Sequence, residues 1–231
     1  MFRKRVDKIR GVAGSLDGTV ALIVDAAASA GPGILKVLTE AGAAAHVAAE
    51  DSAMLDVEVG RLAAPPVPIT TIAGAPTLVL DSLANPPDAV VINPPISDGI
   101  GPVQPFIALA RRTAILMRDQ GKTGSIVIIS GIGRSGTAGS IAEFLRHETE
   151  DLAAEFAPNG IRANAVAPGP LGSNRRGQPL SSRVTPLGHS TVHPVEVGKA
   201  VWFLVNEELS AGITGSTMRV DRGASLLRPD W

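Results

Sequence analysis

The sequence predicts a doubly wound α/β fold, a parallel sheet between two layers of helices, and three observations carry that prediction. Uninterrupted apolar runs of strand length recur: TVALIV at 19–24, DAVVIN at 88–93 and IVIIS at 126–130. Runs without polar alternation are the mark of strands buried on both faces. Amphipathic helical stretches alternate with these runs, which is the βαβ rhythm. Residues 124–170 then read as one complete crossover of strand, glycine-rich turn, helix and second strand (162–167), closed by Pro168-Gly169-Pro170.

Taken in order, the strand at 19–24 passes through DAAASAGPG into a helical stretch at 34–41, with Ile34, Leu35, Val37 and Leu38 apolar. A second strand at 46–49 ends in Glu50-Asp51. Residues 52–84 hold Pro65, Pro66 and Pro68 and read as largely irregular, with a short strand at 67–71 and a helix at 77–83. The strand at 88–93 is ended by Pro94-Pro95, and SDGIGP reads as loop. A helix at 106–118 puts Ile107, Ala110, Ala114 and Met117 on one stripe. The crossover helix at 141–156 buries Ile141, Leu145, Leu152 and Phe156, while Glu143, Arg146, Glu150 and Asp151 solvate its other side. Residues 172–189 are polar and read as an excursion loop. A helix at 194–205 and a last strand at 217–220 complete the pattern. No internal repeat or composition break divides the chain, so one domain over 1–231 is expected, with 1–18 as a basic tail.

Composition narrows the function. At 231 residues, 45% of them hydrophobic but only 3% aromatic, the core is built from small aliphatic side chains that let helices lie close on a sheet. The net charge of −1 gives no field to attract nucleic acid or an anionic membrane. Cysteine is absent, which excludes disulfides, thiol nucleophiles and thiolate metal sites. The basic start MFRKRVDKIRG lacks the long apolar core of a signal peptide, and no run has the length of a membrane span. The expectation is a cytoplasmic protein with neither nucleic-acid nor membrane partners.

Three motifs, NGIRANAVAPGP (159–170), PLGH followed by HPVEVGKAVWFLV (186–205), and ITGSTMRVDRG (213–223), resemble the short-chain dehydrogenase/reductase family in order and spacing. With the other landmarks the resemblance extends over nearly the whole chain. It implies a Rossmann-like, three-layer α/β/α fold, NAD(P) binding and hydride transfer to or from a carbinol. The family's phosphate turn, Thr-Gly-x-x-x-Gly-x-Gly, falls on 26–33: Gly31 and Gly33 are kept, Ala27 replaces the first glycine, and Pro32 brings no N–H to the helix start. Glu50 or Asp51 takes the place of the acid on the adenosine ribose. Asn93 is kept, followed by Pro94 and Pro95 where the family has small residues. With Pro168 and Gly169, these positions form a vestigial cofactor site.

The catalytic residues implied by the resemblance are missing. The Ser, Tyr and Lys positions fall on Gly131, Ala138 and Ala142, and the chain contains no tyrosine at all. Ser130 adjoins the vacated serine position, and most of the helix that carries the family's catalytic Asn is absent between 95 and 106. The leading expectation is therefore a catalytically inactive homologue without a cofactor. It would serve as a structural or regulatory subunit of a heteromeric dehydrogenase or acyl-thioester reductase. An active paralogue would pair with it through the helices 106–118 and 141–156 and the C-terminal tail. Two alternatives stand beside it: an NAD(P)-dependent oxidoreductase using non-standard groups such as Ser130, Ser135 or a histidine, and a small-ligand or acyl-CoA binding module.

Two further signals are weaker. GIGRSG (131–136) matches a glycine-rich phosphate motif, which Arg134 would assist, but such patterns also arise as plain turns. His189 and His193, four apart with Glu196 nearby, have metal spacing only if helical, and Pro194 argues for a solvated loop. No metal site is expected.

Overall fold

The computed structural model describes residues 15–27, 29–50, 52–62, 67–96, 99–131, 136–171, 185–187 and 191–226. Outside these fall most of the basic tail, Ser135 and Arg134 of the glycine motif, nearly all of the polar loop with His189, and the last five residues.

The described strands are β1 (Val20–Val24), β2 (Ala44–Ala49), β3 (Ile69–Ala73), β4 (Ala89–Ile92), β5 (Gly124–Ile129), β6 (Ile161–Pro168) and β7 (Thr217–Val220). They form one sheet in the order β3-β2-β1-β4-β5-β6-β7, every pairing parallel. The order runs outward from β1 in one direction and from β4 in the other, so the sheet is doubly wound as expected. The continuous apolar runs became the central strands: Ala21, Leu22, Ile23 and Val24 are buried, as are all four residues of β4.

Helices cover both faces. On one lie α1 (Gly31–Glu40), α2 (Ser52–Gly60) and α5 (Pro194–Val205), whose Ile34, Leu38, Leu55, Val197 and Val201 pack on Ile23, Val47 and Val91. On the other lie α3 (Gln104–Asp119) and α4 (Gly136–Phe156), with Phe106, Ala110, Met117, Ile141 and Leu145 against Leu22, Val90, Ile126 and Ile128. A short α6 (Glu207–Ser210) follows α5. At the end of α3, Gly121 at φ +62° lets the Lys122 N–H reach the Met117 carbonyl, a Schellman closure. The outer surfaces of α3 and α4 are laced by ion pairs: Arg111 meets Glu148 and Glu155, and Arg146 meets Glu143 and Glu150.

Two sequence expectations fail in residues 52–84. Residues 52–60 form α2, although no helical stripe marks it: Leu55 is buried while Met54 and Val57 are exposed. The stretch expected as an α-helix at 77–83 is a 3-10 helix, Pro76–Ser82. Its proline-led start and extended Leu83 confine it to tighter turns. Among the described residues, no helix is long and apolar enough to cross a membrane.

One buried polar atom stands apart. His46, paired in register with Leu22 of β1 and Thr70 of β3, holds Nδ1 out of solvent with no hydrogen-bond partner. Burial lowers its pKa from the ordinary 6.5. The folded chain thus binds fewer protons here than the unfolded one. This contribution to stability is fully present above the ordinary value and is lost as pH falls through the folded one. Urea unfolding at pH 7.5 and 5.5 checks this: the wild type is expected to lose more stability between the two pH values than His46→Leu.

Candidate functional site

The sheet reverses its winding between β1 and β4, and in open α/β sheets the crevice beyond the carboxyl ends at such a point is where ligands bind. After β1 the chain turns through Asp25 and Ser29, both at φ +57°. Gly31 makes this turn possible, because a Cβ there would lie 2.3 Å from the Ala26 carbonyl oxygen. Asn93, 1% exposed after β4, donates from Nδ2 to the Asp25 carbonyl at 3.0 Å and so ties the two sides of the crevice together. The helix α1 that starts at this turn has no side-chain cap, since Ala30 is its N-cap residue. Its first-turn amides, other than that of Pro32, are therefore oriented for an anionic group. Glu50 is exposed at the end of β2.

Gly33 does something else. A Cβ on it would stand 2.1 Å from the Pro194 carbonyl carbon and 2.5 Å from the Val195 nitrogen, and a Cβ on Gly198 would stand 2.4 Å from the Gly33 carbonyl oxygen. The two glycines let α1 and α5 touch backbone to backbone, so Gly33 is held by helix packing. Pro168 pairs with Val220, and the Gly169 N–H donates to the Val220 carbonyl at 2.9 Å. A Cβ at Gly169 would meet Asp221 Cα at 2.8 Å. This pair closes the β6–β7 edge.

At the end of β5, Gly131 sits at φ +67°, and a Cβ there would lie 3.1 Å from Ile96 Cδ1. Both the backbone and Ile96 disfavour a serine at 131. The hydroxyl at this edge belongs to Ser130, two residues beyond Ile128 on the face covered by α3 and α4. Ser130 is 2% exposed, and its Oγ has only long contacts, 3.5 Å to each of the Gly131 and Val166 carbonyls. On α4, Ala138 is exposed and Ala142 half-buried. From the sequence Ser130 stood both as the neighbour of the vacated position and, with Ser135, as a non-standard group of the oxidoreductase alternative; the left-handed glycine after it is the local feature that sets it apart.

His193 is the N-cap of α5. Its Nδ1 accepts from the Val195 N–H at 3.2 Å, while Glu196 accepts from the His193 N–H at 2.8 Å, completing a capping box. Burial tends to raise the Glu196 carboxyl, but hydrogen bonds from His193 and Arg222 outweigh it and hold the group below the usual range. Among the described residues no cluster of three or more His, Asp or Glu has metal-site geometry. A concavity of about 550 Å³ lies at the opposite, amino-terminal edge of the sheet, bordered by Asp17, Asp88, Arg162 and Glu207. Two of its charged groups are committed to the fold. Asp88 accepts from the Val20 N–H at 2.7 Å, and Arg162 donates to the last carbonyls of α5.

This is the architecture of a dinucleotide-type α/β protein with its crevice between β1 and β4. The chain belongs to the short-chain dehydrogenase/reductase family: residues 103–225 match the family model described as Enoyl-(Acyl carrier protein) reductase. It is 36% identical over 115 residues to YmfI, an uncharacterized oxidoreductase of Bacillus subtilis, covering 44% of this chain and 46% of that one. It is 34% identical over 126 residues to an A-factor type gamma-butyrolactone 1'-reductase of Streptomyces virginiae, 48% of each chain. The chain thus spans about half the length of the curated relatives it matches. In fold it is similar to a short-chain type dehydrogenase/reductase from Mycobacterium marinum, with TM-score 0.77, 24% identity and coverage of 92% and 97%. It also resembles an Agrobacterium tumefaciens protein described as a 2-deoxy-d-gluconate 3-dehydrogenase with bound NADP, with TM-score 0.75, 21% identity and coverage of 92% and 98%.

These findings overturn the expectation of an inactive regulatory subunit. YmfI and the Streptomyces protein are named as an oxidoreductase and a reductase, another relative as a 2,4-dienoyl-CoA reductase, and the two solved neighbours are described as dehydrogenases. The cofactor expectation left NAD(P) open only for the oxidoreductase alternative, and the Agrobacterium protein similar in fold is described with bound NADP.

Proposed function

We propose that this chain is an NAD(P)-dependent oxidoreductase acting on a carbonyl or carbinol with non-standard catalytic groups. The observation that carries the reading is Ser130, a hydroxyl at the carboxyl edge of β5 with only two 3.5 Å contacts among the described residues. The crevice suits a dinucleotide in its switch-point position, in the Gly31 turn and in the uncapped start of α1. Pro32 withdraws one amide from the pyrophosphate, which favours weaker binding over none. Gly31 and the first turn of α1 would hold the phosphates, Asn93 would fix the wall beside the nicotinamide, and Glu50 would meet the ribose.

A nicotinamide held by these residues would supply or accept the hydride. Ser130 would donate its O–H to the substrate oxygen and hold it in place. Ala138, exposed and standing where the family resemblance implies the proton donor, would leave water to deliver the proton to that oxygen in reduction. A positioned general acid contributes about 10²–10⁴ in rate, so turnover is expected to be slower by about that factor than with a Tyr-Lys pair.

The test is calorimetric titration with NADH and NADPH, followed by nicotinamide absorbance with a panel of ketones, lactones and acyl-thioesters. Micromolar binding of one nucleotide and slow turnover of one carbonyl class are the expected results. No binding at millimolar nucleotide together with no turnover would end the proposal.

A further inference from the structure

The segment between β6 and α5 leaves the sheet at Leu171 and returns at Val192, which form a parallel bridge, with the Val192 N–H on the Pro170 carbonyl at 2.8 Å. Between these points the chain is held again at 185–187, from the end of β7. The Leu187 N–H donates to the Arg222 carbonyl at 3.0 Å, Arg222 Nη1 reaches back to the Leu187 carbonyl at 3.5 Å, and Gly223 at φ +81° lies against the Pro186 ring. Thr185, next to them, is buried.

Arg222 itself stands at φ +52°, the left-handed region that costs an L side chain energy and that glycine takes freely. Strain of this kind persists where the surroundings over-determine it. Here they do: Nη2 and Nε of Arg222 bind the two Glu196 oxygens at 2.7 and 3.2 Å, and Glu196 is already fixed by the capping box of α5. The guanidinium therefore joins three elements beyond the carboxyl edge of the sheet: the end of β7, the start of α5 and the chain at Leu187.

We propose that Arg222 is a positioning residue: through Glu196 it clamps the chain at Pro186 and Leu187 beside the carboxyl ends of β6 and β7, and so sets the affinity for substrate. The substrate part rests on the oxidoreductase reading; the clamp does not. Arg222→Gly removes the guanidinium and the backbone cost together, so the melting temperature is expected to stay nearly constant. Amide exchange at Leu187 is expected to rise at least about tenfold, since a local opening of this kind is independent of global unfolding. In turnover, KM for the carbonyl substrate rises several-fold while kcat and nucleotide affinity hold. Arg222→Lys, which keeps one charge contact to Glu196, falls between. Glu196→Gln retains a capping-box acceptor and isolates the ion pair.

Unchanged exchange at Leu187 in Arg222→Gly overturns the clamp. So does faster exchange spread over β7 and α5 with a fall in melting temperature, which would make Arg222 a general stabiliser. Changed exchange with unchanged KM overturns its role toward substrate. A wild type that turns over nothing sinks the oxidoreductase reading and with it the substrate role, while Leu187 exchange still decides the clamp.

Discussion

Gly33→Ala is expected to destabilise the fold by about 3 kcal/mol or more, lowering the melting temperature by roughly 6–12 °C for a chain of this size. The added methyl would enter the backbone of Pro194 and Val195 at 2.1–2.5 Å, and neither side can yield by rotating a side chain. The helices α1 and α5 would have to part, opening the apolar layer where Ile34, Leu38, Val197 and Val201 meet. Gly60→Ala is the control: it lies in a helix with nothing within 4 Å of its added Cβ, and is expected to be neutral or stabilising by up to about 1 kcal/mol. Thermal unfolding of both variants decides the point. A Gly33→Ala protein that melts with the wild type would return this glycine to the nucleotide alone.

Ser130→Ala is expected to cut kcat about 10²–10³-fold, the usual effect of removing one donor aimed at a substrate oxygen. Nucleotide affinity and melting temperature should stay near the wild type, because the hydroxyl makes only 3.5 Å contacts within the protein. Steady-state kinetics with the carbonyl found in the substrate panel, with nucleotide titration alongside, measures both. An equal loss in nucleotide affinity would place Ser130 in the wall of the crevice and not on the substrate.

The two predictions divide along a line that runs through the whole chain. TVALIV, DAVVIN and SIVII announced buried parallel strands because no polar residue interrupts them, and they are the centre of the sheet. Helix α5 and strand β7 begin and end as the sequence predicts, while the capping box that starts α5 came from the structure, where the sequence had offered His193 and Glu196 only as metal spacing or a solvated loop. Helix α2 escaped notice because it packs through little more than Leu55, so its apolar residues obey no helical period. The absence of tyrosine was likewise plain, but absence alone misled: it showed which groups are missing and not what the remaining ones do.

The sequence by itself determined the fold class, the central strands and the absence of tyrosine, because local periodicity and residue identity suffice for these. The tertiary structure decided what each retained residue is for. Gly31 and Gly33, two residues apart, serve a turn and a helix contact respectively, and Arg222 bears a left-handed backbone to reach Glu196. The role of Gly33 depends on a backbone 161 residues further along the chain, at Pro194, and that of Arg222 on Glu196, and no local pattern encodes such an approach.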